Sequence, residues 1–388
     1  MPTRLESRIA ARLAELDAAG LSRRSPRIER RDGCRYELDG RPVLGFCSND
    51  YLGLGDEALA DSSSSPCPAG AGASRLICGD LAELRALEAE LAELAGCDDA
   101  ILFPSGFQAN VGVPGALLER GDLVFSDRLN HASIIDGLRL SRAEISILEH
   151  RAPPPSVAAS GVTWWFSESI FSMEGDRVDV DAARVHVEHG GALYLDEAHS
   201  FGLFRDGSTL AKEVGLRPDV LVGTLGKAAG CAGAFVATSA TIASFLRSRA
   251  RSFVFSTGVS PLLARRLRAH LAALRGPLGE ARRASLWTNV RGFARLVGVD
   301  ERRALSPIFP LLVGDNRRAV AIASALLERG LHVQAIRPPT VPVGRARLRL
   351  TLSALHTSAE IEALVAALRR VFADFGLDLG DAARGQPQ

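Results

Sequence analysis

Between residues 100 and 239 the chain alternates short apolar runs with helical segments, and the runs carry reactive residues at or near their ends. AILF (100–103) leads into PSGFQAN, and LVFSD (123–127) leads into RLNHASIIDG. VTWWFSES (162–169) precedes IFSMEGD, ALYLDEAHS (192–200) runs through an aspartate, VLVGTLGKA (220–228) through a lysine, and GAFVATS (233–239) closes the series. This alternation predicts a doubly wound, mainly parallel sheet. Ligands of such sheets sit outside the carboxyl ends of the strands, where these residues fall.

The flanking segments differ in texture. Residues 4–20 read as an amphipathic helix, with Leu5, Ile9, Leu13 and Leu16 at helical spacing. RYELDG and RPVLGFCS read as a hairpin turning at Asp39-Gly40. DSSSSPCPAGAGAS and RAPPPS read as loops, and DLAELRALEAELAELAG as a helix closed by Gly96. From about residue 270, Arg/Ala/Leu helices alternate with PIFPLLVG, HVQAI and ARLRLTLS, the pattern of a smaller α+β domain. The expected organisation is an N-terminal helix and short β segment (1–45), a large domain (46–270) and a small C-terminal domain (271–388) with a disordered tail, DAARGQPQ.

Other classes are disfavoured. No apolar run approaches the ~18 residues of a membrane span, and the N-terminus lacks the apolar core of a signal peptide. The six cysteines form no C-x-x-C pair, so reduced thiols are expected rather than a metal site or a disulfide framework. A net charge of +1 gives no sign of nucleic-acid binding. The chain reads as cytoplasmic, with no membrane partner.

One lysine stands out. Of the 46 Lys and Arg residues only Lys212 and Lys227 are lysine, and Lys227 lies in the small-residue run TLGKAAG. A bias toward arginine reflects genome composition, so the exception is informative. A lysine amine can deprotonate and form a Schiff base, which a guanidinium cannot. Gly226, Ala228, Ala229 and Gly230 leave room for a flat ligand. Asp196 ends an apolar run, where a carboxylate could pair with a protonated ring nitrogen. Lysine and aspartate together are the minimum equipment for pyridoxal phosphate. The FPSGFQAN turn at Ser105, Gly106 and Phe107 could direct backbone N–H groups at a phosphate, with Thr224, Ser256 and Thr257 as hydroxyl donors. His131 could stack on an aromatic cofactor, and His199 could reach a phenolic oxygen. On the residues alone, Lys227 also fits a surface lysine, Asp196 a helix N-cap, and either histidine a structural role. The DEAH string also spells a helicase acidic box, but no G-x-x-x-x-G-K-[ST] phosphate loop precedes it.

Taken together, CSNDYLGL, FPSGFQAN, NHASIIDG, SESIFSMEGD, LDEAHS, TLGKAAG, FSTGVSP and IRPPTVPVGRARLRLTLS resemble the α-oxoamine synthases. These are pyridoxal 5′-phosphate enzymes of aminotransferase-like fold (fold type I), and the resemblance runs from about residue 4 to 375. It implies that Lys227 carries the cofactor, Asp196 pairs with its ring nitrogen, His199 bonds its ring oxygen and His131 stacks on it. It implies cofactor contacts from Ser172, Thr224, Ser105, Gly106 and Phe107. Ser256 and Thr257 would approach from the other subunit of a homodimer with shared sites. On the substrate side it implies Asn49, His131, Thr340 and Arg349, the last clamping a carboxylate. SNDYLGL, IRPPTVP and RLRLTL look most like the branch of biotin synthesis that condenses L-alanine with a pimeloyl thioester, carried on coenzyme A or on an acyl carrier protein. Sister branches use glycine or serine, as in 2-amino-3-ketobutyrate ligase and 5-aminolevulinate synthase. A substrate-side arginine of the family falls here at Ser22, beside Arg23 and Arg24.

Overall fold

The computed structural model describes residues 2–59, 66–157 and 160–385. The chain forms two compact units, one of residues 49–285 and one of residues 1–48 with 286–388. The strands in chain order begin with β1 (Ile28–Asp32), β2 (Arg35–Leu38) and β3 (Arg41–Gly45). Next come β4 (Asp99–Phe103), β5 (Leu123–Asp127), β6 (Glu144–Leu148), β7 (Thr163–Glu168), β8 (Ala192–Asp196), β9 (Val220–Thr224) and β10 (Ala234–Thr238). The last are β11 (Ile308–Gly314), β12 (Leu331–His332), β13 (Gln334–Ile336) and β14 (Ala346–Thr351).

Unit 49–285 is built on a seven-stranded sheet in the order β4-β10-β9-β8-β7-β5-β6. β6, β5, β7, β8 and β9 pair in parallel. β10 is antiparallel to both β9 and β4, so β4 runs in the same direction as β9. The mainly parallel sheet read from the alternation is therefore present, with one reversed strand inserted. The central strands are buried on both faces, which is why they read as continuous apolar runs. Tyr194, Phe166, Ile101, Val222 and Val236 belong to one core cluster with Ile134, Leu138 and Phe253 from covering helices. The helix Ala82–Ala95 buries Leu84, Leu87, Leu91 and Leu94 at the expected spacing and stops at Gly96, where φ is 72°.

The other unit holds a sheet of order β1-β2-β3-β12 and a sheet of order β11-β14-β13. The β2–β3 hairpin turns at Asp39 and Gly40, both at positive φ, as a two-residue turn requires. β12 joins β3 in parallel, Leu331 opposite Leu44 and His332 opposite Gly45, although these partners come from opposite ends of the chain. The N-terminal helix spans Arg4–Ala18, with a Thr3/Glu6 capping box, and Gly20 at φ 66° follows its end. No described helix is long and apolar enough to cross a membrane.

Three details differ from the sequence reading. β1 and β6 were not expected; β1, IERRD, carries no apolar alternation, whereas β6, EISIL, alternates over only five residues. Pro114 has no N–H to continue a helix, and the segment after FPSG divides into Gly106–Gly112 and Pro114–Leu117. The tail expected to be disordered begins as a helix, Leu379–Ala383, because Asp378 caps it and Leu379 and Ala382 are buried. Residues 386–388, and the stretch 61–65 of the serine-rich loop, lie outside the described residues.

The turn after β9 is held tightly. Gly230 N–H donates to Lys227 O at 2.8 Å, and Cys231 N–H to Leu225 O at 2.9 Å. Gly230 has φ 67°, and a Cβ there would stand 2.5 Å from Gly55 N and 2.6 Å from the Leu54 carbonyl carbon. Both are backbone atoms that cannot swing away. Gly230→Ala is expected to lower the melting temperature and to displace Lys227, so that cofactor retention on gel filtration falls several-fold; wild-type behaviour on both counts would contradict the packing described here.

Candidate active site

Because β4, β5, β7, β8 and β9 share a direction, their carboxyl ends emerge at one edge of the sheet. Asp196 ends β8, Glu168 ends β7, and Lys227 follows the end of β9 by three residues. The segment carrying His131 follows β5, and the turn Ser105-Gly106-Phe107 follows β4. Residues far apart in the chain are thus brought to one place by strand direction alone.

Asp196 is buried and held from two sides. Its Oδ2 accepts from Asn110 Nδ2 at 2.7 Å and its Oδ1 from the Ala198 N–H at 2.8 Å. Asn110 is fixed in turn: Nδ2 donates also to Ser133 Oγ at 2.9 Å, and Oδ1 accepts from Tyr194 OH at 2.8 Å. A carboxylate with two oxygens can accept about four hydrogen bonds, so Asp196 keeps acceptor capacity for a ring N–H.

Lys227 Nζ lies 2.7 Å from His199 Nε2. His199 Nδ1 lies 2.7 Å from Tyr51 OH, and that hydroxyl donates to Asn49 Oδ1 at 3.2 Å. A consistent direction follows: the Tyr51 proton points to Asn49, Nδ1–H of His199 donates to the Tyr51 oxygen, and Nε2 accepts from the lysine. Asn49, expected on the substrate side, thus orients His199 through Tyr51.

His131 caps the helix Ala132–Arg139 with its ring. Nδ1 accepts from Ser133 N–H at 3.3 Å and lies 2.7 Å from Ser133 Oγ. That leaves Nε2 carrying the proton. The ring sits at the open face of the site, yet burial of its inner side holds its pKa below the usual histidine value. Asp196 opposes that shift and Lys227 adds to it. His131 is therefore a neutral imidazole that presents an N–H.

Ser105 caps the helix Gly106–Gly112, its Oγ accepting from Gln108 N–H at 3.2 Å. A Cβ on Gly106 would meet only Thr224, at 4.0 Å, and one on Gly226 nothing nearer than 3.8 Å. The two glycines border open space beside Thr224, whose Oγ1 donates to Gly233 O at 3.3 Å. Phe107 stands edge-on to His131, with ring centroids 6.5 Å apart. Amine, carboxylate, neutral imidazole and a glycine-lined turn with unused helical N–H groups form a donor set that fits a flat ring bearing a protonated nitrogen and an anionic arm.

Residues 41–368 match the family described as aminotransferase class I and II. The chain belongs to that family. It is 45% identical over 384 residues to 8-amino-7-oxononanoate synthase of Anaeromyxobacter dehalogenans (strain 2CP-1 / ATCC BAA-258), covering 94% of this chain and 96% of the relative. Among solved structures, SPT with a PLP internal aldimine matches at 25% identity and a TM-score of 0.84, covering 96% of this chain and 98% of that one. An 8-amino-7-oxononanoate synthase (bioF) from Francisella tularensis matches at 25% identity and a TM-score of 0.69, covering 86% of this chain and 99% of its own. The aminotransferase family and its fold type I sheet are thus those expected from the sequence motifs.

The remaining expected residues have these surroundings. The hydrogen bonds described for Ser256 and Thr257 run to Phe253 and, through an isolated bridge, to Ser74, and none reaches the Lys227–Asp196 cluster of the same chain. Thr340 and Arg349 belong to the unit of residues 1–48 and 286–388. There Thr340 Oγ1 accepts from the Arg23 guanidinium at 3.0 Å, and Arg349 is buried on β14. Asn110, Tyr51 and Tyr194 were not singled out from the sequence, although all three fall inside quoted stretches. Their partners are distant in the chain, so no local pattern marks them. Glu168 was missed as well. Its Oε2 accepts from Ser172 N–H at 3.2 Å, and its carboxyl is fully buried.

The SMEGD turn that carries Ser172 is anchored by a histidine. His150 Nδ1 is 3.1 Å from both oxygens of Asp127, at the end of β5, and Nε2 is 3.0 Å from Asp176 Oδ2. Burial works against the charged ring, but hydrogen bonds to Asp127 and Asp176 outweigh it and raise the pKa to about 9. A raised histidine pKa contributes stability that is complete below the unfolded value and is lost as pH rises through the folded one. The melting temperature should therefore fall between about pH 7 and pH 10. His150→Gln should melt lower at pH 7 and show a shallower decline; an unchanged pH profile in the variant would contradict the clamp.

Proposed function

We infer that this chain joins L-alanine to a pimeloyl thioester with loss of carbon dioxide, giving 8-amino-7-oxononanoate, and that its cofactor is pyridoxal 5′-phosphate. One observation carries the reading. Lys227 and Asp196 stand at the carboxyl ends of neighbouring parallel strands, each oriented by its own hydrogen-bond partners, in a chain 45% identical to an enzyme of that name.

When bound, the cofactor supplies an electron sink for the bond broken at the amino acid's Cα. Lys227 would attach it, Asp196 would hold the ring nitrogen protonated, and His199 Nε2 would meet the ring oxygen. The Ser105–Phe107 turn and Thr224 would receive the phosphate, together with Ser256 and Thr257 of a second copy. The remaining work falls to the chain's own groups. The Lys227 amine, released when alanine binds, is the general base at Cα and returns a proton there at the end. His131, neutral and presenting Nε2–H, donates to the thioester carbonyl oxygen as charge builds on it. Arg349 grips the amino acid's carboxylate. A carbon–carbon bond forms between Cα and the carbonyl carbon and the carbon–sulfur bond breaks, the carrier leaving as a thiolate that takes a proton from solvent; the bond from Cα to the alanine carboxylate then breaks, carbon dioxide departs, and Cα takes back the proton held by Lys227.

We assign the acyl donor's distal carboxylate to Arg23. Of Ser22, Arg23 and Arg24, Arg23 is the one whose guanidinium reaches Thr340, while the Ser22 carbonyl accepts from Arg337. Arg337 is itself held below the usual arginine pKa by burial and by the charge of Arg23. Two like charges side by side favour an anion. A homodimer in the cytoplasm, with either coenzyme A or an acyl carrier protein as carrier, fits this reading.

Two experiments check it. Wild type with cofactor should convert L-alanine and pimeloyl-coenzyme A to product, and Lys227→Ala should lose at least about a thousandfold in kcat along with the borohydride-reducible link to the cofactor. Turnover with glycine or serine but not alanine would move the function to a sister enzyme. Arg23→Ala should raise KM for the pimeloyl thioester about tenfold or more and leave KM for alanine near wild type; equal effects on both would remove Arg23 from the acyl site.

A further inference from the structure

Glu168 has a role that the mechanism above leaves unused. It is the last residue of β7, directly across the parallel ladder from Asp196. Two acidic side chains therefore end neighbouring strands at the point where the cofactor's ring nitrogen would sit. Their surroundings differ. Asp196 has a donor on each oxygen, and Asn110 is itself braced by Tyr194 and Ser133. Glu168 has one, the Ser172 N–H on Oε2, while Oε1 is buried with no hydrogen-bond partner among the described residues. The groups that face it are Asp196, Lys227 and the turn at His131, whose backbone N–H favours its charged form without making a hydrogen bond to Oε1.

A buried carboxylate with an orphaned oxygen beside a second carboxylate is costly, and such a group keeps its proton instead. Burial, then the charge of Asp196, raise the Glu168 pKa to about 8, against the opposing pull of Lys227 and the two backbone amides. The neutral acid still accepts from Ser172.

We propose that Glu168 is a positioning residue of this site that works uncharged: it seats the Ser172 turn against the end of β7 without placing a second negative charge beside Asp196. Asp196 is then the carboxylate that alone meets the ring nitrogen, and Ser172, expected at the cofactor, is set by an acid that never competes for that proton. The inference rests on the cofactor reading and is independent of which amino acid and thioester are used.

The sign of the stability effect tests it. A carboxyl whose folded pKa is raised costs nothing below the unfolded value near ~4.5, and its cost grows as pH rises to the folded value. Glutamine is a permanently neutral isostere that can still accept from Ser172. In the cofactor-free protein, Glu168→Gln should therefore melt higher than wild type at pH 8, with the gain shrinking toward pH 5. The infrared carbonyl band of a protonated carboxylic acid, present in wild type at pH 6.5, should be reduced in the variant. In the cofactor-loaded protein, Glu168→Gln should bind pyridoxal phosphate within about threefold of wild type at pH 7, whereas Glu168→Ala, losing the acceptor for Ser172, should bind it about tenfold more weakly. If Glu168→Gln melts lower at pH 8, or loosens the cofactor as much as Glu168→Ala, the carboxyl works charged and the proposal is overturned. If Glu168→Ala folds and binds the cofactor like wild type, Glu168 positions nothing. Failure of wild type itself to bind pyridoxal phosphate would instead overturn the cofactor reading and this inference with it.

Discussion

The parallel hydrogen bonding of β7, β8 and β9 is the constraint on which the site depends. In this register Glu168 lies opposite Asp196, and Asp196 opposite Val222, two residues before the strand end that launches Lys227. A slip of one residue in any of these strands would turn its side chains to the other face. The apolar residues on both faces of the sheet resist that slip, because it would carry Tyr194, Phe166 and Val222 out of the packing they share. Placement of the reactive groups is thus enforced by burial well away from them.

Around that frame, short polar chains fix each reactive group separately. Asn110 spends both amide hydrogens and its carbonyl oxygen on Asp196, Ser133 and Tyr194. Ser133 in turn meets His131, so the carboxylate and that histidine share one brace. Tyr51 and Asn49 set the tautomer of His199, which faces the lysine amine. Buried polar networks of this kind rigidify a site only when every member is satisfied. Glu168 Oε1 has no partner among the described residues, and a proton on that carboxyl removes the buried charge rather than supplying a partner.

Much of this was legible in the sequence. The apolar runs that became β5, β7, β8, β9 and β10 were visible because strands buried on both faces need nearly continuous hydrophobic residues. Lys227 was conspicuous because arginine replaces lysine almost everywhere else. Less was visible where side chains answer to distant partners. β1 reads IERRD and lies on a sheet edge with mostly exposed residues, so it carries no hydrophobic period to detect. Asn110 looks like any polar residue in a helical turn until β8 places Asp196 against it. Arg23 and Arg24 are equivalent in the string, and only the fold gives Arg23 a partner in Thr340.

The sequence by itself determined most element types, the mainly parallel character of the large sheet and the chemical kinds available at its edge, since these follow from periodicity and from what a lysine, an aspartate or a histidine can do. Tertiary structure decided the rest. It chose the order of strands in the sheet, and it paired β12 with β3 although their residues are far apart in the chain. It also decided which of two neighbouring acids keeps its proton. Those outcomes depend on burial and on partners tens to hundreds of residues away, and a linear string does not record which groups will share a low-dielectric interior.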